Sequence, residues 1–222
     1  MPARLENVPS FGSDDACPKD RYTVVVLGNS CVGKTAIISQ LLYGSFDNEY
    51  RATVEEFHQE EFELGDVTVT LDVIDTTGSY SFPAMRKLCI EKGDAFLLVF
   101  SFDSEESFEQ IPALLDEIHA LNSKPHRRIC IVGNKADLVK GAPVNRQLAE
   151  SLVSLDWELS YVEVSAKENR NFDDLLVKIL GEVARESVMA DDSDKKKRKT
   201  SLPPSVLKCR NALIKRNSCI VS

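Results

Sequence analysis

The 222-residue sequence predicts an α/β fold, a doubly wound and mostly parallel six-stranded sheet with one antiparallel hairpin at its edge. Short apolar, β-branched runs are typical of strands buried on both faces of a parallel sheet. The four runs of this kind are Tyr22–Leu27, Ala95–Phe102, Ile129–Val132 and the weaker Tyr161–Val164. Segments with helical periodicity separate the runs, and they cover Lys34–Leu42, Ser107–Leu121, Asn145–Leu155 and Asn171–Arg185.

The hairpin is predicted from strict alternation of apolar and polar residues. Phe57–Leu64 and Val67–Asp75 both alternate, and Gly65-Asp66 between them is a turn dipeptide. This pattern predicts an antiparallel hairpin at the edge of the sheet.

The ends of the chain differ from its body. Residues 1–20 are polar and non-periodic, and we interpret them as a disordered extension of a single domain over residues 21–186. Residues 187–222 hold nine Lys or Arg and three Asp, so this predicted flexible tail carries a net charge of +6, against −14 for the rest. An acidic body argues against nucleic-acid binding, and a basic tail favours an anionic surface.

Compartment is predicted from what the sequence lacks. No stretch has the roughly 20 apolar residues that span a bilayer, and the first residues lack the apolar core of a signal peptide. The six cysteines show no metal-ligand spacing. We therefore expect a cytosolic protein with free thiols.

A phosphate-binding loop is predicted directly after the first strand. Gly28-Asn29-Ser30-Cys31-Val32-Gly33-Lys34-Thr35 matches G-x-x-x-x-G-K-[ST] between a strand and a helix, as the motif requires. Backbone N–H groups and the helix N-terminus would surround phosphate oxygens. Lys34 would reach the β- and γ-phosphates, and Thr35 would bind Mg²⁺.

A base-recognition site is predicted at the ends of the later strands. Asn134-Lys135-Ala136-Asp137 follows one strand, and Ser165-Ala166-Lys167 follows the last. A carboxylate at Asp137 accepts hydrogen bonds from both the ring N–H and the exocyclic amine of guanine, a donor pair that adenine lacks. On its own the first motif could be a polar turn, but its order after a phosphate loop favours guanine.

With these motifs, residues Arg21 to Arg185 resemble the Ras family of small GTPases, and the segment DTTGSYSFPAMRKL is most similar to the Di-Ras and Rhes branches. The resemblance implies the P-loop GTPase fold, GTP or GDP with Mg²⁺ as ligands, and a monomer. It also implies that Phe46 packs on guanine, that Tyr50 and Thr53 belong to a first switch loop, and that Gly78 senses the γ-phosphate. The implied metal ligands are Thr35, Thr53 and, through water, Asp75. The full predicted nucleotide site is Gly28, Asn29, Ser30, Cys31, Val32, Gly33, Lys34, Thr35, Phe46, Tyr50, Thr53, Asp75, Gly78, Asn134, Lys135, Asp137, Leu138, Ser165, Ala166 and Lys167.

The same resemblance implies partner proteins. Effectors would bind Thr53, Val54, Glu55, Glu56, Phe57 and His58, beside the first switch. An exchange factor and a GTPase-activating protein are the other expected partners.

Three departures from the family pattern bear on hydrolysis. The implied catalytic residues are Thr53, Gly78 and Ser79, and Ser79 stands where Ras has a glutamine that orients the attacking water. Thr77 replaces a usual alanine, and Ser30 replaces a glycine. These changes predict a signalling switch that hydrolyses its bound GTP slowly. The alternatives are a GTP-loaded binding module without turnover, or ordinary turnover in which another group positions the water. A P-loop kinase is disfavoured by the guanine motifs.

The sequence ends in a prenylation motif. Cys219-Ile220-Val221-Ser222 has the C-a-a-X pattern, and the final serine favours farnesyl. A second signal is expected, from nearby basic residues or from palmitoyl on Cys209. We therefore expect the protein on the cytoplasmic face of the plasma membrane. For Lys195–Lys199, a membrane contact, a nuclear-import signal and a solvated segment all stay open.

Overall fold

The computed structural model describes residues 21–47, 55–64, 67–76, 83–124, 128–138 and 142–180. They form a six-stranded sheet with helices on both faces, which confirms the predicted fold class. The strands are β1 (Arg21–Leu27), β2 (Glu55–Leu64), β3 (Val67–Thr76), β4 (Ala95–Ser101), β5 (Arg128–Asn134) and β6 (Ser160–Glu163).

The sheet has the strand order β2-β3-β1-β4-β5-β6. Strand β1 pairs in parallel with β3 and β4, and β4, β5 and β6 continue the parallel sheet. Strand β2 is antiparallel to β3 over ten residue pairs and lies at the edge, as predicted for the hairpin. The turn at Gly65-Asp66 lies outside the described residues.

The helices are α1 (Lys34–Tyr43), α2 (Pro83–Lys92), α3 (Glu105–Glu109), α4 (Ile111–Leu121), α5 (Arg146–Ser151) and α6 over 172–180. A short π-helical segment, Leu152–Asp156, follows α5 directly. Within the part of the chain that the structure describes, no helix has the length and apolarity needed to cross a membrane.

The core lies on both faces of the sheet, which explains the apolar strand sequences. All seven residues of β4 are buried, and they alternate between the two faces: Leu97 and Val99 join one cluster, Phe96 and Leu98 the other. Helices α1 and α6 cover the first face, while α2, α4 and α5 cover the second. A strand with helices on both sides needs apolar residues at nearly every position, and in β4 only the last residue, Ser101, is polar.

The helices require three corrections to the sequence analysis. Helix α2 was missed, because only Cys89 and Ile90 of its ten residues are buried and the apolar period is therefore weak. The predicted helix Ser107–Leu121 is two helices separated at Gln110, and Pro112 near the start of α4 lacks the N–H that a continuous helix would use.

The third correction concerns the predicted helix Asn145–Leu155. Asn145 is the N-cap residue rather than a helical one, and its Oδ1 accepts a hydrogen bond from the Leu148 N–H at 3.2 Å. The second half, Leu152–Asp156, is π-helical.

Candidate nucleotide-binding site

Four chain segments meet where the parallel strands have their carboxyl ends. We call this border of the sheet the nucleotide edge, as distinct from the outer strand β2. Strand β1 leads into the loop at residues 28–33, β3 ends at Thr76, β5 ends at Asn134, and β6 is followed by residues 164–167. The phosphate motif and both base motifs thus lie at the same edge.

Two glycines shape the loop between β1 and α1. Gly28 has φ 146°, and a Cβ there would lie 2.1 Å from the Val99 carbonyl oxygen. Gly33 has φ 92°, and its Cβ would lie 2.3 Å from Nδ2 of Asn134. Both positions combine a left-handed backbone with close backbone or side-chain neighbours, so only glycine fits. At the tip of the loop, Ser30 and Cys31 are exposed.

Lys34 lies across this loop. Its Nζ donates hydrogen bonds to the carbonyl oxygens of Gly28 at 3.0 Å and Asn29 at 2.8 Å. The side chain is buried, and burial lowers the pKa of Lys34 to about 8, while Asp75 acts in the opposite direction. A buried cation held against a loop of backbone groups is suited to bind a phosphate anion.

Thr35 and Asp75 form the second part of the phosphate site. The Thr35 hydroxyl donates a hydrogen bond to Asp75 Oδ2 at 2.5 Å. Asp75 is fully buried, and among the described residues its Oδ1 has no hydrogen-bond partner. Burial raises the pKa of this carboxyl group, whereas the Thr35 hydroxyl and Lys34 lower it.

A hydroxyl and a buried carboxylate with an unpartnered oxygen fit Mg²⁺, which prefers hard oxygen ligands. Thr35 and Asp75 would hold the ion on the protein side. The other predicted metal ligand, Thr53, lies outside the described residues.

Asn134 joins three of the loops. Its Nδ2 donates to the Val32 carbonyl oxygen at 2.8 Å, and its Oδ1 accepts from the Ala166 N–H at 3.3 Å. Asn134 is only 2% exposed, so neither bond competes with bulk water. The phosphate loop and both base motifs are therefore fixed relative to one another.

Asp137 lies beside the last motif. The Ser165 hydroxyl donates to Asp137 Oδ1 at 2.6 Å, and the same hydroxyl accepts from the Glu168 N–H at 3.1 Å. Lys135 has φ 60° and its Nζ contacts Asp103 Oδ2 at 2.8 Å. Thus Asp137 and Ser165 come together as the guanine hypothesis requires.

Comparison with known proteins decides the family. The sequence model of the Ras protein family matches residues 23–185, which is most of the chain. The chain belongs to the Ras family. Members of this family bind GTP and GDP with Mg²⁺, in agreement with the site chemistry.

Among curated relatives, this Ras-family chain is similar to the GTP-binding protein Rhes of Homo sapiens, Mus musculus and Rattus norvegicus. Each is 40% identical over 168 residues, covering 71% of this chain and 62% of the relative. The match thus spans less than two thirds of those relatives. The predicted resemblance to the Rhes branch is confirmed.

The remaining predicted nucleotide residues divide into two groups. Phe46, 36% exposed, and Leu138, 39% exposed, offer apolar surface, and Lys167 is exposed. Tyr50, Thr53, Gly78 and Ser79 lie outside the described residues, as does Thr77. Their predicted roles in the switches and in catalysis stay predictions.

The predicted effector residues fall at the sheet edge. Glu55 begins β2, Glu56 is exposed, Phe57 is 60% exposed, and His58 contacts the Tyr43 hydroxyl through Nδ1 at 2.9 Å. Thr53 and Val54 lie outside the described residues, and so do Cys209, Cys219 and Lys195–Lys199.

Two residues near the base motif were missed by the sequence analysis. Arg146 at the start of α5 donates to the Ala136 carbonyl oxygen at 2.5 Å and to Glu163 Oε2 at 3.0 Å. The two missed residues, Arg146 and Glu163, belong to no motif, and Arg146 is ten residues from Ala136 and seventeen from Glu163 in the sequence. Only the packing of α5 against the sheet brings them together.

Proposed function

We propose that this Ras-family chain is a membrane-anchored signalling switch that binds GTP with Mg²⁺ and hydrolyses it slowly. The observation that carries the proposal is the buried Asp75 carboxylate, which lies beside Thr35 and has one unpartnered oxygen among the described residues. Lys34 and the glycine loop lie next to it. This arrangement provides a cation site and an anion site side by side, as a magnesium nucleotide requires.

Guanine is the proposed base. Asp137 offers a carboxylate to two donors, and Asn134 holds its loop against the phosphate loop. The base and phosphate sites are therefore connected by one buried amide.

Effector proteins are proposed to bind the β2 edge in the GTP state. Among the described residues, strand β2 lies at the edge of the sheet beside β3, and the exposed Phe57 adds apolar surface next to Glu56. GTP would order the switch residues beside this edge, and hydrolysis would release them. An exchange factor and a GTPase-activating protein complete the proposed cycle.

Slow hydrolysis is proposed from residue types. Ser79 is too short to orient water as glutamine does, and Ser30 adds a hydroxymethyl group at the exposed tip of the loop. Catalysis depends on placing the nucleophile within a fraction of an ångström. Binding is expected to persist while turnover falls.

Membrane attachment is proposed through a prenyl group on Cys219. The basic residues of the tail give the second signal, since each adds about 1 kcal/mol near an anionic leaflet. Palmitoylation of Cys209 is the alternative second signal.

Two measurements on the freshly purified full chain test the proposed switch. The first identifies the bound nucleotide, and the second measures the rate of single-turnover GTP hydrolysis. Mostly GTP together with a slow but measurable rate supports a switch. GTP without any turnover indicates instead a binding module controlled by abundance or membrane attachment, which the residues at 30, 77 and 79 also favour. An absence of bound guanine nucleotide would contradict both.

A further inference from the structure

Both backbone polar groups of Ala136, the residue immediately before Asp137, are hydrogen-bonded. Ala136 is 1% exposed, and its N–H donates to the Val164 carbonyl oxygen at 3.0 Å. Its carbonyl oxygen accepts from Nη2 of Arg146 at 2.5 Å. Since this carbonyl belongs to the peptide unit whose nitrogen is that of Asp137, its anchoring limits rotation of the backbone at Asp137.

In addition to its bond to the Ala136 carbonyl oxygen, two contacts fix Arg146. Its Nη1 donates to Glu163 Oε2 at 3.0 Å, and the guanidinium lies over the Phe102 ring, 4.5 Å from the centroid. The other carboxylate oxygen of Glu163 accepts from the Tyr161 hydroxyl at 3.1 Å. Two nitrogens of one planar group therefore bind two different partners, which sets the orientation of the group.

The direction of the Asp137 carboxylate depends on this support. Ser165 binds one carboxylate oxygen, Oδ1, through its hydroxyl. The position of the second oxygen then follows from the Asp137 backbone. A carboxylate that must meet two parallel donors tolerates less misalignment than one that meets a single donor.

We propose that Arg146 is a positioning residue for guanine recognition: it holds the Ala136–Asp137 peptide so that the Asp137 carboxylate meets both donors of the base. The inference rests on the proposed guanine binding. It assigns to a residue outside every nucleotide motif a role in discriminating guanine from hypoxanthine, which keeps the ring N–H but lacks the exocyclic amine.

The test compares GDP with inosine diphosphate on the full-length chain with Mg²⁺. Each nucleotide competes with a fluorescent GDP analogue, first on wild type and then on Arg146→Met. In Arg146→Met, the hydrogen bond between the Asp137 carboxylate and the exocyclic amine of guanine should be misaligned. The preference for GDP over inosine diphosphate should then fall by about threefold to tenfold. A purely structural role for Arg146 would weaken both nucleotides equally and leave the preference unchanged.

Arg21→Met is the matched control. Arg21 also forms a two-nitrogen pair with a carboxylate, at 2.5 and 2.9 Å from Asp72, but at the amino-terminal end of β1, opposite the nucleotide edge. Its loss should leave the preference at the wild-type value. Arg146→Gln, which keeps a polar but shorter side chain, replaces Arg146→Met if circular dichroism shows that the latter does not fold.

Asp137→Asn separates failure of this inference from failure of the base assignment. If it leaves the GDP preference unchanged, Asp137 does not read the base and the proposed guanine site is wrong. If it abolishes the preference while a folded Arg146 variant keeps the wild-type value, the role of Arg146 is refuted and the guanine site stands.

Discussion

The side-chain amide of Asn134 donates a hydrogen bond to the carbonyl oxygen of Val32, and a distance of 2.8 Å thereby joins the base-recognition motif to the phosphate loop. The two residues lie 102 positions apart in the chain. Gly33 makes the contact accessible, because a Cβ at that position would lie 2.3 Å from the amide nitrogen.

Asn134→Ala should speed nucleotide release. It leaves the Val32 carbonyl and the Ala166 N–H without their buried partner, each at a free-energy loss of about 1–3 kcal/mol. Release of a fluorescent GDP analogue measures the effect, with an expected increase on the order of tenfold or more.

Asn122→Ala is the control for that measurement. Asn122 is equally buried and donates to the carbonyl oxygens of Ile90 and Gly93, away from the nucleotide edge. It should lower the melting temperature without changing release from folded protein. Equal acceleration by both variants would indicate general loosening rather than a link between the loops.

Asp137→Asn should sharply lower GTP affinity. The asparagine side chain has one acceptor oxygen and one NH₂ donor, so its donor would face one of the two guanine donors. A fluorescent-nucleotide titration measures the change, and circular dichroism checks folding. Wild-type affinity in a folded variant would show that Asp137 does not bind the base.

Nucleotide affinity should decrease as the pH rises through about 8. Burial lowers the pKa of Lys34 to about 8 in the site without phosphate, and bound phosphates would raise it. The complex then holds more protons than the nucleotide-free protein above that pH, so binding requires proton uptake and weakens by at most about tenfold per pH unit.

Calorimetric GDP titrations between pH 7 and 8.5 measure this effect in buffers of different ionisation enthalpy. Lys34→Arg stays protonated and provides the control, since any titration of guanine itself is common to both proteins. A wild type with the same pH profile as Lys34→Arg would exclude Lys34 as the titrating group.

Intrinsic GTP hydrolysis should be slower than in Ras, a relative for which the rate is about 3–5 × 10⁻⁴ s⁻¹. A tenfold loss corresponds to about 1.4 kcal/mol in the barrier, which one misplaced water can cause. In single-turnover assays Ser79→Gln should recover part of the rate, and Ser30→Gly with Ser79→Gln more. Nucleotide affinity should barely change, and a wild type as fast as Ras would contradict the proposal.

Cys219→Ser should move a tagged protein from membranes to the soluble fraction, because the basic tail alone lacks the apolar anchor. Cell fractionation measures the distribution, and Cys209→Ser tests the alternative second signal. If Cys219→Ser stays on membranes, the anchor lies elsewhere.

The sequence predicted the elements that bury both faces or alternate strictly. Strand β4 and the β2–β3 pair follow directly from such patterns. Helix α2 was not predicted, because eight of its ten residues are not buried and its side chains carry little periodicity. Local patterns record burial, so an amphipathic helix with a narrow apolar stripe is hard to recognise.

The residues of the candidate site also differ in whether the sequence alone could predict them. Lys34, Thr35 and Asp137 belong to contiguous motifs whose chemistry can be read from residue type. The contacts of Arg146 with Ala136 and Glu163 depend on how α5 packs on the sheet. No neighbouring residue in the sequence carries that information, and only tertiary structure could reveal it.

The central position of β4 has a consequence for amide hydrogen exchange. Its seven buried residues pair with β1 on one side and β5 on the other, and its Val99 carbonyl lies against Gly28. Exchange at β4 therefore requires opening of the whole sheet, whereas outward-facing amides of β2 exchange through local fluctuations. The first glycine of the phosphate loop thus rests on a strand whose amides we expect to exchange slowly, and that end of the loop should stay fixed when the β2 edge of the sheet opens.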